Sequence, residues 1–198
     1  MKLIEIRKAA SNYFTKSTAH LLSRTPVTPN SLTWFGFLLT IGAATLIITE
    51  NLFAAGFVAL AAGFFDMLDG ALARATHRTT RFGAILDSTL DRLSEAVLLL
   101  SILLLYVKEQ LIAESLLVGF ALIGSFMVSY TRAKLEGQDI ACKVGFFTRT
   151  ERVIVLALGL LLGQVSYALI IALSIITLFS FFTAGQRLLY AWRQMRNK

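Results

Sequence analysis

Four aspartates carry most of the chemistry this sequence offers. Asp66 and Asp69 are i,i+3 neighbours, Asp87 and Asp91 are i,i+4 neighbours, and the stretch 52–65 just before them has no charge. On helices, those spacings place each pair on one face. A carboxylate inside a membrane-like segment costs several kcal/mol unless it is paired or faces a wet cavity. Four like charges together need a cationic partner. Arg74 and Arg92 could pair with two of them as buried salt bridges that fasten helices. Clustered carboxylate oxygens answer better to hard divalent cations, Mg²⁺ or Mn²⁺. Two such ions about 4 Å apart form the clamp for in-line displacement at phosphorus. The spacing therefore predicts a two-metal site with Asp66, Asp69, Asp87 and Asp91 as ligands.

The small residues between the aspartates allow two readings. Gly70, Ala71, Ala73 and Gly83 let helices pack closely in lipid. They also let a ligand's phosphates approach the backbone.

The elements that carry these residues follow from composition. The chain has 198 residues, 56% of them hydrophobic, too apolar for a soluble domain of this length. Runs of about 20 apolar residues predict six transmembrane helices, near 31–49, 52–75, 82–107, 110–133, 150–165 and 166–190. The fifth is short, and its boundary with the sixth is the weakest feature of the pattern. The fold class is all-α, a polytopic membrane protein, with residues 1–198 forming one domain. Residues 1–25 mix apolar and basic positions and predict an amphipathic helix on the membrane surface. A single cysteine, Cys142, excludes an intrachain disulfide.

Charge sets the orientation. Of 19 Lys and Arg, only Lys108 falls on the side opposite the termini and the two long loops. By the positive-inside rule, both termini and the aspartates face the cytoplasm of the cell membrane. At 1.5 Å per residue, Asp87 and Asp91 lie about 8 and 13 Å past the start of the third span, level with the other pair. The net charge of +7 sits between apolar segments, so it predicts contact with membrane lipids and no nucleic-acid partner.

The full pattern is Asp66-x₂-Asp69-Gly70-x₂-Ala73-Arg74-x₈-Gly83-x₃-Asp87-x₃-Asp91. It resembles the signature of the CDP-alcohol phosphotransferase family at all eight positions. The resemblance implies a divalent-metal-dependent transferase of phospholipid biosynthesis. Such an enzyme takes a CDP-linked lipid donor, CDP-diacylglycerol or CDP-archaeol, and an acceptor hydroxyl attacks the phosphorus bonded to the lipid alcohol, releasing CMP. The resemblance also implies that Asp91 contacts a metal and takes the acceptor's proton. Gly70, Ala73, Arg74 and Thr80 would hold the CDP moiety, with Asn30, Ser31, Leu32 and Thr33 at the mouth of the first span. A homodimer is expected for the same reason.

The acceptor is read from a second cluster. "VSYTRAK" (128–134) and "RTERVIV" (149–155) bring Arg132, Lys134 and Arg152 to the level of the aspartates, three cations suited to an anionic co-substrate. Arg149 and Lys143 read as ordinary positive-inside anchors. The cluster and the wording "LDSTLDR" (86–92) resemble the phosphatidylinositol phosphate and archaetidylinositol phosphate synthases, whose acceptor is a myo-inositol phosphate. Glycerol 3-phosphate also bears a phosphate and stays open as the alternative acceptor. A cation transporter, the competing class, would spread its acids across the full membrane depth.

Overall fold

A computed structural model of the chain describes residues 27–142 and 144–196. The surface helix expected over residues 1–25 lies outside them. The described residues form six α-helices and no strand: α1 Pro29–Ile48, α2 Leu52–Ala75, α3 Arg81–Lys108, α4 Ile112–Glu136, α5 Arg149–Leu161 and α6 Ala168–Arg196.

Local chemistry starts these helices. At α1, Pro29 occupies the first turn and the Thr28 hydroxyl accepts from the Ser31 N–H at 3.2 Å. Thr80 caps α3 by accepting from Gly83 N–H at 2.9 Å. Thr148 and Glu151 form a capping box at α5, the Thr148 N–H donating to Glu151 Oε2 at 2.8 Å. Four helices stop alike. Glu50, His77, Gln110 and Asp139 adopt positive φ, and the following N–H closes back on the carbonyl five residues earlier, as Asn51 does on Leu46 at 2.8 Å. This Schellman closure satisfies the last carbonyls without a glycine. One such turn is tied across the bundle: Lys108 Nζ lies 2.7 Å from Glu50 Oε1, and that hydrogen bond and charge hold the Glu50 carboxyl below its usual range.

Packing runs α1 on α2 and α3, α2 on α5, α3 on α4, α4 on α6, and α5 on α6. Ile47, Leu99, Ile102, Leu160, Leu173 and Ile176 form the fully buried centre. Gly56 brings α2 against α5 so closely that a Cβ there would sit 2.7 Å from Leu161 Cγ. A smaller cluster of Leu32, Leu68 and Leu72 fixes α1 to the stretch of α2 that carries Asp66 and Asp69. Outward faces stay apolar, with Phe57, Leu104, Ile112, Phe120 and Leu178 all more than half exposed. This is an inside-and-outside hydrophobic bundle, a membrane protein.

Four of the six helices, α1, α2, α4 and α6, are long and apolar enough to cross a membrane. The expected third and fifth spans are helices too, but of another character. α3 has 28 residues and carries Asp87, Asp91, Arg92 and Glu95. α5 has only 13 residues, about 20 Å of helix against a hydrocarbon core of about 30 Å. It stops at Leu161 instead of 165. α6 runs on to Arg196, past the expected 190, because nothing in 190–196 breaks a helix.

Candidate active site

The last turns of α2 and the first of α3 meet across the short 76–80 connection, and this brings the aspartates together. One oxygen from each of Asp66, Asp69 and Asp87 lies within 4.8 Å of the others. Asp69 is 4% exposed. Its Oδ1 accepts from the Gly70 N–H at 2.5 Å, while its Oδ2 is buried with no hydrogen-bond partner. Thr33 does not supply one, since its hydroxyl donates to the Pro29 carbonyl at 3.1 Å. An orphaned buried carboxylate oxygen among three hard donors fits a divalent cation.

Asp91, expected as a fourth ligand, sits one turn further along α3, outside that triad. Its Oδ1 forms an ion pair with Arg149 Nη1 at 2.6 Å, and its Oδ2 is 3.8 Å from Arg92 Nη1, beyond hydrogen-bond reach. The Arg92 guanidinium instead donates to the Ser88 carbonyl at 2.5 Å.

Two openings reach the carboxylates. The first, a pocket of about 200 Å³ between α1, α2 and α3, is lined by Asn30, Thr33, Asp69, Gly70, Ala73, Arg74, Thr80, Gly83 and Asp87. All the residues expected to hold the CDP group line it except Ser31 and Leu32. Ser31 is turned back on the Thr28 cap, and Leu32 is buried against α2. Arg78 and Thr79, which the sequence reading missed, line it as well. They fall in the short connection between two spans, where hydropathy reads a turn and nothing more. Gly83 keeps this end of the pocket open: a Cβ would stand 2.9 Å from Thr80 Oγ1 and 3.2 Å from Asn30 Oδ1.

The second opening, a cavity of about 890 Å³ between α3 and α4, is lined by Asp87, Ser88, Asp91, Arg92, Tyr130, Arg132 and Glu136 among others. Arg132 therefore borders the same cavity as Asp87 and Asp91, in an i,i+4 pair with Glu136 at 2.8 Å. Lys134 and Arg152 do not line this cavity. Lys134 is exposed on α4. Arg152 is 1% exposed and forks onto Glu95, Nε to Oε1 at 2.5 Å and Nη2 to Oε2 at 2.8 Å, leaving Nη1 without a partner.

Two arginines depart from their sequence-based placing. Arg149, read as a surface anchor, contacts Asp66 Oδ2 and Asp91 Oδ1 through a single nitrogen, Nη1. Arg187, grouped by sequence with the basic residues beyond the last span, is 3% exposed. It donates to the carbonyls of Val128 and Val144 and so pins the α4–α5 connection to α6. Gly145 makes room for it with a φ of 111°, where a Cβ would meet Arg187 Nε at 2.9 Å.

An apolar helical bundle with a carboxylate triad beside an arginine-lined pocket has the parts of a membrane-embedded phosphotransferase. Matched over residues 26–184, the chain belongs to the CDP-alcohol phosphatidyltransferase family, enzymes of phospholipid biosynthesis. It is 37% identical over 168 residues to the archaetidylinositol phosphate synthase of Methanothermobacter thermautotrophicus, covering 83% of each chain. Its structure is similar to that of Mycobacterium tuberculosis phosphatidylinositol phosphate synthase with CDP-DAG bound, at a TM-score of 0.81 and 31% identity over 90% of this chain and 93% of that one. The same enzyme in complex with manganese and citrate gives a TM-score of 0.80 at 30% identity, covering 90% and 88%.

Proposed function

We propose that this chain transfers a phosphatidyl-type group from CDP-diacylglycerol or CDP-archaeol to a hydroxyl of a myo-inositol phosphate, releasing CMP. The observation that carries the reading is that the two openings share one carboxylate. Asp87 borders both the pocket with Asp69 and Arg74 and the cavity with Asp91 and Arg132. A donor held on one side and an acceptor on the other would meet at that carboxylate from opposite directions, as in-line displacement requires. The relatives named above support the choice of substrates.

Asp66, Asp69 and Asp87 would hold Mg²⁺ or Mn²⁺, with Asp91 completing a second ion. The bound cations supply Lewis-acid polarisation of the phosphoryl oxygens. Arg74, one turn from Gly70, binds the pyrophosphate and steadies the charge that develops on CMP. Asn30, Thr33, Ala73 and Thr80 frame the nucleotide end, with Ser31 in the helix cap and Leu32 in the packing against α2 behind them. Asp91 takes the proton of the acceptor hydroxyl through Oδ2. The acceptor oxygen then bonds to the phosphorus attached to the lipid alcohol, the bond from that phosphorus to CMP breaks, and CMP leaves. Arg132 holds the acceptor's phosphate from α4. Lys134 and Arg152, which do not border the cavity, take no direct part in holding that phosphate.

In this reading all six helices lie in the cell membrane. α3 and α5 are carried there by their apolar neighbours, the charges of α3 facing the site and the short α5 buried against α2 and α6. The termini and both openings face the cytoplasm, residues 1–198 act as one domain, and two chains pair as a homodimer. The test is CMP release by purified protein with Mn²⁺, CDP-diacylglycerol and a panel of acceptors. Inositol phosphate should give the fastest release. Faster release with glycerol 3-phosphate would move the chain to the neighbouring branch.

A further inference from the structure

Arg149 has no part in the chemistry above, yet it is the cation closest to it. Its Nη1 touches Asp66 on α2 and Asp91 on α3 at once. Asp66 is also one of the three carboxylates whose oxygens converge within 4.8 Å. One carboxylate therefore serves two positive charges, the protein's own and any divalent ion the triad holds. A guanidinium drawing on Asp66 weakens it as a hard ligand, and two cations a few ångströms apart in a poorly solvated site repel. Arg149 cannot easily yield, because α5 is fastened on both sides of it. Thr148 and Glu151 lock the first turn, and Arg152, three residues on, is forked onto the buried Glu95.

We infer that Arg149 is a tuning and positioning residue. Its fixed charge lowers the divalent-cation affinity of the triad, and its ion pair with Oδ1 holds the Asp91 carboxylate in place on α3. An affinity held down in this way leaves room for the donor's phosphates to complete the coordination, so that cation and donor bind together. The inference rests on the reading of the triad as a cation site.

The test is Mn²⁺ titration of the full chain in detergent, following free Mn²⁺ by electron paramagnetic resonance, with thermal melting as the check on folding. R149Q should bind Mn²⁺ at least about tenfold more tightly than the parent, since it removes a positive charge within a few ångströms of the ion. Should R149Q fail to fold, R149K decides. Its single ammonium cannot span both carboxylates, so its affinity should rise by about threefold. D69N separates the two levels of the argument. Mn²⁺ binding that is absent from the parent chain, or that survives D69N, brings down the cation reading and this inference with it. Binding abolished by D69N but unchanged or weakened by R149Q or R149K overturns the inference alone.

Discussion

Glu95 and Arg152 join α3 to α5 through two parallel hydrogen bonds, with 6% and 1% of their surfaces exposed. Each charge is tolerable at that depth only because the other is there. Removing one partner should strand the other, at a cost of about 3–5 kcal/mol. E95L should therefore lower the melting temperature in detergent sharply. The double variant E95L/R152M, apolar and of similar volume, should recover most of that loss. An E95L protein that melts with the parent would mean the pair is not a fastening.

The triad is the simplest point to attack. D69N keeps the side chain's size and its Gly70 contact but gives up a hard anionic ligand. Turnover should vanish, and Mn²⁺ should no longer protect the chain against heat. A folded D69N with near-parental CMP release would remove the metal reading.

Asp91 should separate from the triad by phenotype. D91N should stop transfer while CDP-diacylglycerol binding, measured by displacement of a labelled nucleotide lipid, stays within a few-fold of the parent, because Asp91 does not border the donor pocket. Donor binding lost in step with catalysis would make Asp91 principally a metal ligand.

Gly83 tests the donor pocket without touching a charge. G83A places a methyl group against Thr80 Oγ1 and Asn30 Oδ1, so it narrows the pocket and perturbs the cap of α3 together. The KM for the CDP-lipid should rise by about tenfold, with the acceptor KM unchanged, a loss near 1.4 kcal/mol of donor binding. Equal effects on both substrates would show that the whole start of α3 has moved.

Much of this site could be read from spacing. Asp66 with Asp69, and Asp87 with Asp91, fall on single helix faces by arithmetic, and the turn joining α2 to α3 is short enough to bring those faces together. The arginines of α5 could not be read that way. Arg149 and Arg152 are three residues apart and differ by about 60° around the helix, so a small rotation decides which one meets the aspartates. Hydropathy does not report that rotation; packing against Glu95 of α3 and Gly56 of α2 sets it. Thr148-x-x-Glu151 was the available signal, a capping box that starts the helix one residue before Arg149. Arg187 was hidden for another reason. A charge count assigns it to the membrane surface, whereas the carbonyls of Val128 and Val144 that receive it come from distant parts of the chain. Span length misled for α5, expected to reach 165 although the helix stops at Leu161 ahead of Gly163 and Gln164.

The acceptor side turns on Arg132, the residue of the expected basic cluster that borders the cavity shared with Asp87 and Asp91. Its i,i+4 pair with Glu136 is half-exposed and worth little in itself, so the guanidinium can be redirected to a phosphate at small cost. A charge-assisted contact to phosphate contributes about 1.5–3 kcal/mol. R132Q should therefore raise the KM for inositol phosphate by about ten- to a hundredfold, with the CDP-lipid KM and the melting temperature barely changed. The same substitution should matter little for an acceptor alcohol without a phosphate, which gives the measurement its internal control. If R132Q weakens charged and uncharged acceptors alike, Arg132 shapes the cavity through Glu136 and does not bind the phosphate.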